Sequence, residues 1–573
     1  MKHFTTRSDN YKFQAILLAV FLSAMPAYAQ FESDGPAMME PSSQTESSSQ
    51  QEMSAPDHRG DDAFLRRYSG KDEVDQLMIS AKSRIQRRLD LSLDLLGNVG
   101  GGDNAPFWFT SNRQGLSPTN SSGIMLDLGL DGGMRLPSQF YFNYGMEVAV
   151  AANYQSDFYL QQAYIEAGYK WFDLSIGEKE RWGELINHNL SSGALTWSGN
   201  SRPIPQIRLE VPEFTRLGIL GRLVSLKGHI AYGWYQDSNW RAGRAAMYSN
   251  PPQYTEKILH HSKSFFIRIG NAERFPLEFT AGLEMFAQFG GTRHNMRSTS
   301  ADPIVETYEF PHDFKAYMQA FIPFNKAGEQ TGDNGNTLGS WHFAFDLTMQ
   351  KWKYRLYYEH FFEDHSSMLG VEYKSDAKGN KEFVSYGIKR NWLDCLFGIE
   401  VNAPEGLPFK DIAFEVLNTR GQCGPIYRYP NDVILQGVDG RDNMYGHEFY
   451  KSYSNYGYSN GTPVLVSPIY NKDGDLSFKS NRVLMFHLGI DGKISRNFDY
   501  RIMATHSSHW GTYDCPLTQR EEITSILLEC IYTSKAIKNW RIGLSMASDF
   551  DSGNLTGNNN GIMITISKLW KML

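Results

Sequence analysis

Long stretches of this chain alternate between apolar and polar side chains, as strands with two different faces do. Between residues 277 and 289, the odd positions carry Leu277, Phe279, Ala281, Leu283, Met285 and Phe289. The even positions of that stretch include Glu278, Thr280, Glu284 and Gln288. A strand of this kind can contact lipid on one face and line water on the other.

Four further segments repeat the alternation, at residues 140–150, 224–234, 342–350 and 484–491. Many of these runs reach the roughly nine to eleven residues that a tilted strand needs to cross a bilayer. Strands of soluble sandwiches average about five to six residues. The alternation therefore predicts an all-β fold, a transmembrane antiparallel β-barrel, and Trp and Tyr near the strand ends suit its aromatic girdles.

The hydropathy of the chain agrees with this fold. Aromatic residues make up 14% of 573 residues, yet the mean hydropathy is −0.44. Beyond the N-terminal region the longest apolar run is residues 148–152, whereas a membrane-spanning helix needs about 20 apolar residues. Barrel strands are apolar only at every second residue, so they escape a hydropathy average.

The N-terminus has the three parts of a secretory signal peptide. Lys2, Arg7 and Lys12 precede an apolar stretch at residues 15–22, and Ala27-Tyr28-Ala29 follows as a small-x-small cleavage site. We expect residues 1–29 to be removed; an uncleaved anchor helix is the alternative, but the apolar stretch is short for one.

Three regions follow the signal peptide. Residues 30–60 form a polar, Ser- and Gln-rich tract that we expect to be a disordered linker. Residues 61–103 are expected to hold a periplasmic amphipathic helix at 71–89, a possible plug, because apolar residues recur there at helical spacing. The barrel is expected at residues 104–573.

Four cysteines in so long a chain do not make a disulfide scaffold. Cys515 and Cys530 flank a plausible turn at residues 519–522, and Cys395 and Cys423 flank the segment around Pro408. A cross-strand disulfide is possible at each pair, and free thiols are the default expectation.

Two turns are predicted from local sequence. Asp473-Gly474 is typical of a β-hairpin, and Pro137-Ser138-Gln139 separates two long strands tightly.

Other classes of function find little support. The formal net charge of −7 gives no basic footprint for nucleic acid. His360, Glu363, Asp364 and His365 cluster at a strand end but match no zinc-protease spacing. The segment 506–509, His-Ser-Ser-His, lacks a recognisable third triad member and a nucleophile elbow. We therefore expect no enzyme activity, no metal and no cofactor.

Several distinctive segments punctuate the predicted strands. They are NAPFWFTSNRQGL (104–116), SSGALTWSGNSRPIPQI (191–207), LHHSK (259–263), GLEMFAQFGG (282–291), NTLGSW (336–341), YYEHFFEDHSSM (357–368), FEVLNTRGQCGPI (414–426), GRDNMY (440–445) and GTY (511–513). In their order, and in the strand alternation between them, these segments resemble the capsule-assembly Wzi family from about residue 104 to the C-terminus.

This resemblance implies a barrel of about 18 strands in the cell outer membrane, a lectin that binds and retains capsular or other surface polysaccharide. Amide, carboxylate, guanidinium and aromatic groups bind sugars, and the motif segments offer Asn200, Arg202, Gln206, Asn418, Gln422, Asp442, Asn443 and Tyr445 as candidates. The expected partners are polysaccharide and outer-membrane lipid, with the chain a monomer.

A porin or transporter for small solutes is the alternative function. A porin needs a continuous polar lumen, whereas an anchor can be occluded. Phe286 and Tyr357 are expected to point into the lumen, which favours occlusion.

Overall fold

The computed structural model describes residues 85–572, with gaps at 218–222, 249–250, 273, 297–305, 323–334, 364–367, 369–371, 376–380, 386–389, 430–436, 442 and 535–538. The expected signal peptide, the polar linker and residues 71–84 of the expected helix lie outside the described residues.

Eighteen antiparallel strands form one sheet. The first nine are β1 (Gln86–Gly101), β2 (Gly123–Arg135), β3 (Phe140–Ala152), β4 (Phe158–Tyr169), β5 (Phe172–Glu178), β6 (Gln206–Arg216), β7 (Val224–Trp234), β8 (Leu259–Gly270) and β9 (Leu277–Phe289). The others are β10 (Asn336–Met349), β11 (Trp352–Glu363), β12 (Cys395–Asn402), β13 (Asp411–Asn418), β14 (Val483–Ser495), β15 (Phe498–Gly511), β16 (Pro516–Thr533), β17 (Trp540–Asp551) and β18 (Asn560–Lys571).

The sheet closes on itself because β1 pairs with both β2 and β18. The register of the closing pair runs without a break from Asp90 opposite Lys571 to Gly101 opposite Asn560. Closure leaves no edge strand whose backbone groups would face lipid unpaired. The predicted all-β barrel and its number of strands are confirmed.

The alternation of side chains along each strand separates two surfaces. On β9, Thr280, Glu284 and Gln288 are buried toward the lumen, whereas Leu277 at the opposite parity is exposed. On β8, the outward Phe265 and Ile269 are exposed. The outer wall therefore carries an apolar surface for lipid and the inner wall carries polar groups, as the sequence predicted.

The two ends of the barrel differ in the length of their connections. Residues 136–139, 170–171, 350–351 and 496–497 are short turns at one end, whereas residues 179–205, 235–258, 290–335, 364–394 and 419–482 connect strands at the other. Outer-membrane barrels have short periplasmic turns and longer extracellular loops. The chain is an outer-membrane β-barrel, and this rule assigns its long-loop end to the cell exterior.

One short turn matches its prediction. After Pro137, Gln139 adopts a left-handed φ of 68°, and the Leu136 backbone N–H donates to the Phe140 carbonyl at 2.8 Å. This tight turn joins β2 to β3.

The barrel begins earlier in the sequence than the predicted boundary. β1 begins at Gln86, so the expected boundary at residue 104 is wrong, and residues 86–89 are strand rather than the end of a helix. Leu89, Leu91, Leu93 and Leu95 alternate with polar residues at strand period. Pairing on both sides, with β2 and β18, decides this segment in favour of strand.

Two local predictions also need correction. Residues 519–522 do not turn; they lie inside the continuous strand β16, and the connection before it is residues 512–515. Asp473-Gly474 forms a turn, with the Gly474 N–H donating to Asn471 at 3.1 Å, but no barrel strands flank it.

Three of the four cysteines follow the default expectation. Cys395, Cys515 and Cys530 are free thiols.

The remaining described elements are short. The α-helices are α1 (Phe107–Thr110), α2 (Ser238–Ala245) and α3 (Phe314–Phe321), and 3-10 turns occur at Arg390–Leu393 and Pro468–Tyr470. Small strands in the long connections are Tyr254–Glu256, Thr292–Met296, Glu306–Glu309, Glu372–Ser375, Lys381–Ser385, Cys423–Tyr429, Gly437–Arg441, Gly446–His447, Lys451–Ser452, Ser454–Asn455 and Tyr458–Ser459. Within the described part of the chain, no helix has the length and apolar character to span a membrane.

Candidate functional site

The connection between β5 and β6, residues 179–205, folds into the lumen, and we call it the inner loop. Glu415 on β13 accepts from the Ser191 hydroxyl at 2.6 Å and from the Ser192 backbone N–H at 2.7 Å. Glu359 on β11 accepts from the backbone N–H groups of Leu195 and Thr196 at 2.8 and 3.1 Å. Carboxylates of the wall thus satisfy backbone donors that the irregular loop leaves unpaired.

Aromatic contacts add to this attachment. Trp197 of the inner loop stacks on Phe286 of β9, with ring centroids 5.5 Å apart and planes 2° from parallel. Tyr357 of β11 donates its hydroxyl hydrogen to Glu415. Phe286 and Tyr357 are both buried in a cluster with loop residues. The prediction that these two side chains point inward is confirmed, and residues of the inner loop pack against them.

The end of the connection before β14, residues 443–482, packs on the inner loop, and we call it the inner segment. The Ser198 hydroxyl donates to the Gly461 carbonyl at 2.7 Å, and the Asn200 amide donates to the Ser459 carbonyl at 3.0 Å. Arg241 of α2 is fully buried and donates to the carbonyls of Tyr450 and Ser454. The lumen is therefore filled by two segments that hold each other.

A small cavity remains between the inner loop and the wall. Its volume is about 20 Å³, and its lining includes Trp108, Asn112, Asn189 and Arg501. Trp108 Nε1, Asn112 Oδ1 and Asn189 Oδ1 have no hydrogen-bond partner among the described residues. A polar lining of this kind suits ordered water.

Three sequence-predicted site residues belong to the packed interior. Asn200, Arg202 and Gln206 are all buried. The Arg202 guanidinium lies between the rings of Tyr159 and Tyr456, 4.7 and 4.1 Å from their centroids. Burial raises the pKa of the Tyr456 phenol, an effect that the Arg202 charge opposes. These side chains hold the inner loop against its neighbours.

The other candidates lie near the start of the inner segment. Asn418 and Gln422 are buried, and Tyr445 is 0% exposed, with its hydroxyl donating to the Leu195 carbonyl. Asn443 is exposed at the long-loop end. Asp442 lies outside the described residues. Six of the eight candidates are therefore buried, Asn443 is exposed, and Asp442 is not described.

A second group of side chains at the same end was not selected from the sequence. We call it the rim cluster: Arg420, Arg482, Trp510, Tyr513 and Arg520. The Arg482 guanidinium carbon lies 4.2 Å from the Tyr513 ring centroid, and those of Arg420 and Arg520 lie 5.3 and 6.0 Å from the Trp510 ring. The Tyr513 hydroxyl donates to the Gly421 carbonyl at 2.9 Å. Both rings are partly exposed.

The rim cluster joins three of the motif segments. Arg420 belongs to residues 414–426 and Tyr513 to residues 511–513, and Asn443 of residues 440–445 is linked to them through Asn481. The Asn481 carbonyl and side chain both accept from the Gln422 amide, at 2.7 and 3.0 Å. The sequence alone does not show that these residues come together, because strands far apart in sequence pair to form the rim. Arg420 and Tyr513 are nevertheless part of the motif segments described above.

The catalytic alternatives find no assembled site among the described residues. His360 points outward, and its ring stacks on Trp392 at 4.5 Å. Ser507 lies 2.9 Å from His509 Nε2, but the other ring nitrogen of His509 faces the Ser480 hydroxyl at 3.3 Å rather than a carboxylate.

Three carboxylates also lie close together near the short-turn end. Ligand atoms of Glu166, Asp173 and Glu210 lie within 4.8 Å of one another. Lys179 and Arg208 donate to Glu166 and Glu210 at 2.6 and 2.8 Å. This arrangement is an ion-pair network of the inner wall.

No protein-family model matches the chain, and no curated protein matches it. One similar solved structure is Wzi, an outer-membrane protein involved in group 1 capsule assembly in Escherichia coli and described as a carbohydrate-binding β-barrel. Its identity is 12%, covering 88% of this chain and 89% of that chain, with a TM-score of 0.48. The outer-membrane protein OpdK of Pseudomonas aeruginosa is 10% identical, covering 85% and 99%, with a TM-score of 0.42. At these TM-scores the likenesses carry no argument about function.

Proposed function

We propose that this outer-membrane barrel is a lectin that binds and retains acidic surface polysaccharide, such as capsule, at the cell exterior. The observation that carries the proposal is the rim cluster, where three guanidinium groups surround two partly exposed aromatic rings at the long-loop end. Aromatic faces stack under the C–H surfaces of sugars, and guanidinium groups pair with carboxylates in bidentate fashion.

The filled lumen supports an anchor. A protein that holds a polymer needs a rigid platform, and binding groups held by packed neighbours lose little freedom on binding. The inner segment supplies this support, because Asn481 is bonded to Gln422 and to Asn443 directly beside the rim cluster. In this account, the buried candidates position the site, and Asn443 is the candidate that contacts sugar.

Binding by the purified full-length barrel tests the proposal. The probes are a uronic-acid-rich capsular polysaccharide and neutral dextran, and the variant is Arg482→Ala combined with Trp510→Ala. We expect the wild type to bind the acidic polymer and the double variant to lose about tenfold or more in affinity, as loss of one or two central contacts does.

A matched control is Arg496→Ala, which removes an exposed arginine from the short-turn end. Equal binding by the wild type and the double variant would contradict the rim site. Planar-bilayer recordings on the same sample should show little conductance, and large steady pores would favour the porin alternative instead.

A further inference from the structure

Helix α3, from the connection between β9 and β10, packs against the outside of the barrel. The Tyr232 hydroxyl on β7 donates to the Tyr317 carbonyl of α3 at 3.0 Å. Tyr232 has the same strand parity as Ile230 and Trp234, which are exposed on the outer wall, whereas His229 and Ala231 face the lumen. The helix therefore covers the lipid-facing side of the sheet.

The outer wall beneath α3 confirms this placement. His261 on β8 and Phe289 on β9 have outward parity but are buried. The His261 ring lies 5.6 Å from the Phe321 ring, and the Phe289 ring lies 5.1 Å from the Tyr317 ring. On the same face of β8, Phe265 is 53% exposed. The helix thus covers only the long-loop ends of these strands.

The opposite face of α3 carries large apolar side chains that the described part of the chain leaves exposed. Phe314 and Met318, about one helical turn apart, are 80% and 40% exposed, and Ile322, directly after the helix, is 46% exposed. Ala316 and Ala320, on the other side of the helix, are buried against the wall. Exposure of large apolar side chains to water is unfavourable, so this face is expected to be covered.

The position of this face identifies what covers it. A membrane-crossing strand uses about nine to eleven residues, and β8 has 12 residues, with His261 near its long-loop end. Helix α3 therefore lies at the outer boundary of the hydrocarbon layer. Its apolar face continues the lipid-facing surface formed by Trp234 and Phe265.

We propose that α3 is an interfacial lipid-binding element whose exposed face inserts among the acyl chains of outer-leaflet lipid. Short helices with one apolar face lie in the plane of a membrane interface in this way. An isolated helix of eight residues would be marginal in water, and here packing on the wall stabilises it. The inference concerns lipid and is independent of polysaccharide binding.

Site-specific photo-crosslinking in intact outer membranes tests this proposal. The photoreactive residue p-benzoylphenylalanine replaces Phe314, and in separate variants it replaces Phe265 as a lipid-facing control or Met247 as an exposed control beside α2. We expect the probes at positions 314 and 265 to give adducts with the mass of a membrane lipid in similar yield. The probe at position 247 should give far less.

Two results would overturn the proposal. A protein–protein adduct at position 314, of twice the mass of the chain, would show that a second copy covers the helix. A lipid adduct at position 265 with none at position 314 would show that α3 lies in water.

Discussion

The Glu415 carboxylate of β13 accepts a hydrogen bond from the Ser192 backbone N–H of the inner loop at 2.7 Å. Ser192 and Glu415 are 223 residues apart in sequence, and they meet because the inner loop folds into the lumen against β13. Glu359 makes the equivalent contact with the Leu195 N–H at 2.8 Å. The wall and the inner loop are thus joined by charge-assisted bonds, and the occlusion of the lumen is part of the fold.

Replacing both carboxylates, in the variant Glu359→Gln with Glu415→Gln, should loosen the inner loop. A glutamine keeps the shape but presents an N–H₂ group where a backbone N–H needs an acceptor. Each buried donor left unpaired costs about 1–3 kcal/mol. We expect a lower thermal unfolding midpoint and frequent conducting events in planar bilayers.

The control for this variant is Glu405→Gln, at an exposed position in a connection at the short-turn end. Its conductance and unfolding midpoint should match those of the wild type. If the double variant shows as little conductance as the wild type and has the same unfolding midpoint, these carboxylates do not hold the inner loop.

Arg241 should be indispensable to the inner segment. Its guanidinium donates to Asp237 at 2.8 Å and to the Tyr450 and Ser454 carbonyls at 3.0 and 2.9 Å. Breaking a buried ion pair by removing one partner costs about 3–5 kcal/mol. Arg241→Ala should therefore expose residues 443–482 to limited proteolysis.

Arg241→Lys should rescue little, because an ammonium group cannot reproduce the planar fork. Lys257→Ala is the matched control, since the Lys257 side chain is largely exposed. If Lys257→Ala is cleaved as fast as Arg241→Ala, Arg241 does not hold the inner segment in place.

Cys515 provides a direct test of orientation. It is exposed in the connection between β15 and β16 at the long-loop end, whereas Cys395 is buried. A membrane-impermeant maleimide should label intact cells that carry the wild type more strongly than cells that carry Cys515→Ser. Labelling of Cys515 only after permeabilisation would place the long loops in the periplasm.

The strands were the most predictable part of the structure, because lipid on one side and polar groups on the other impose a period of two. The stretch from Leu277 to Phe289 was identified in full as β9. The strand at Gln86–Gly101 is not predicted from the sequence, because its leucines directly follow residues with helical spacing. Its partner strand β18, whose pairing favours a strand over a helix, is remote in sequence.

The candidate site was predictable only as a set of segments. The motifs contain Arg420, Asn443 and Tyr513, which the fold brings to one rim. Single-residue reasoning favoured Arg202 and Tyr445, but these are buried. A polar side chain in a long loop can face solvent or fill the lumen, depending on how the loop folds. The local sequence does not predict which of the two occurs.

Capsule retention by living cells tests the central proposal most directly. A strain that lacks the gene should be complemented with the wild type, with the Arg482→Ala and Trp510→Ala double variant, or with Arg496→Ala, all at equal outer-membrane levels. Cell-bound polysaccharide and polysaccharide shed into the medium are then measured. We predict that the wild type and Arg496→Ala retain polysaccharide on the cells, while the double variant sheds it as the deletion strain does. Equal retention by the deletion strain and the wild type would contradict the proposal that this barrel holds surface polysaccharide.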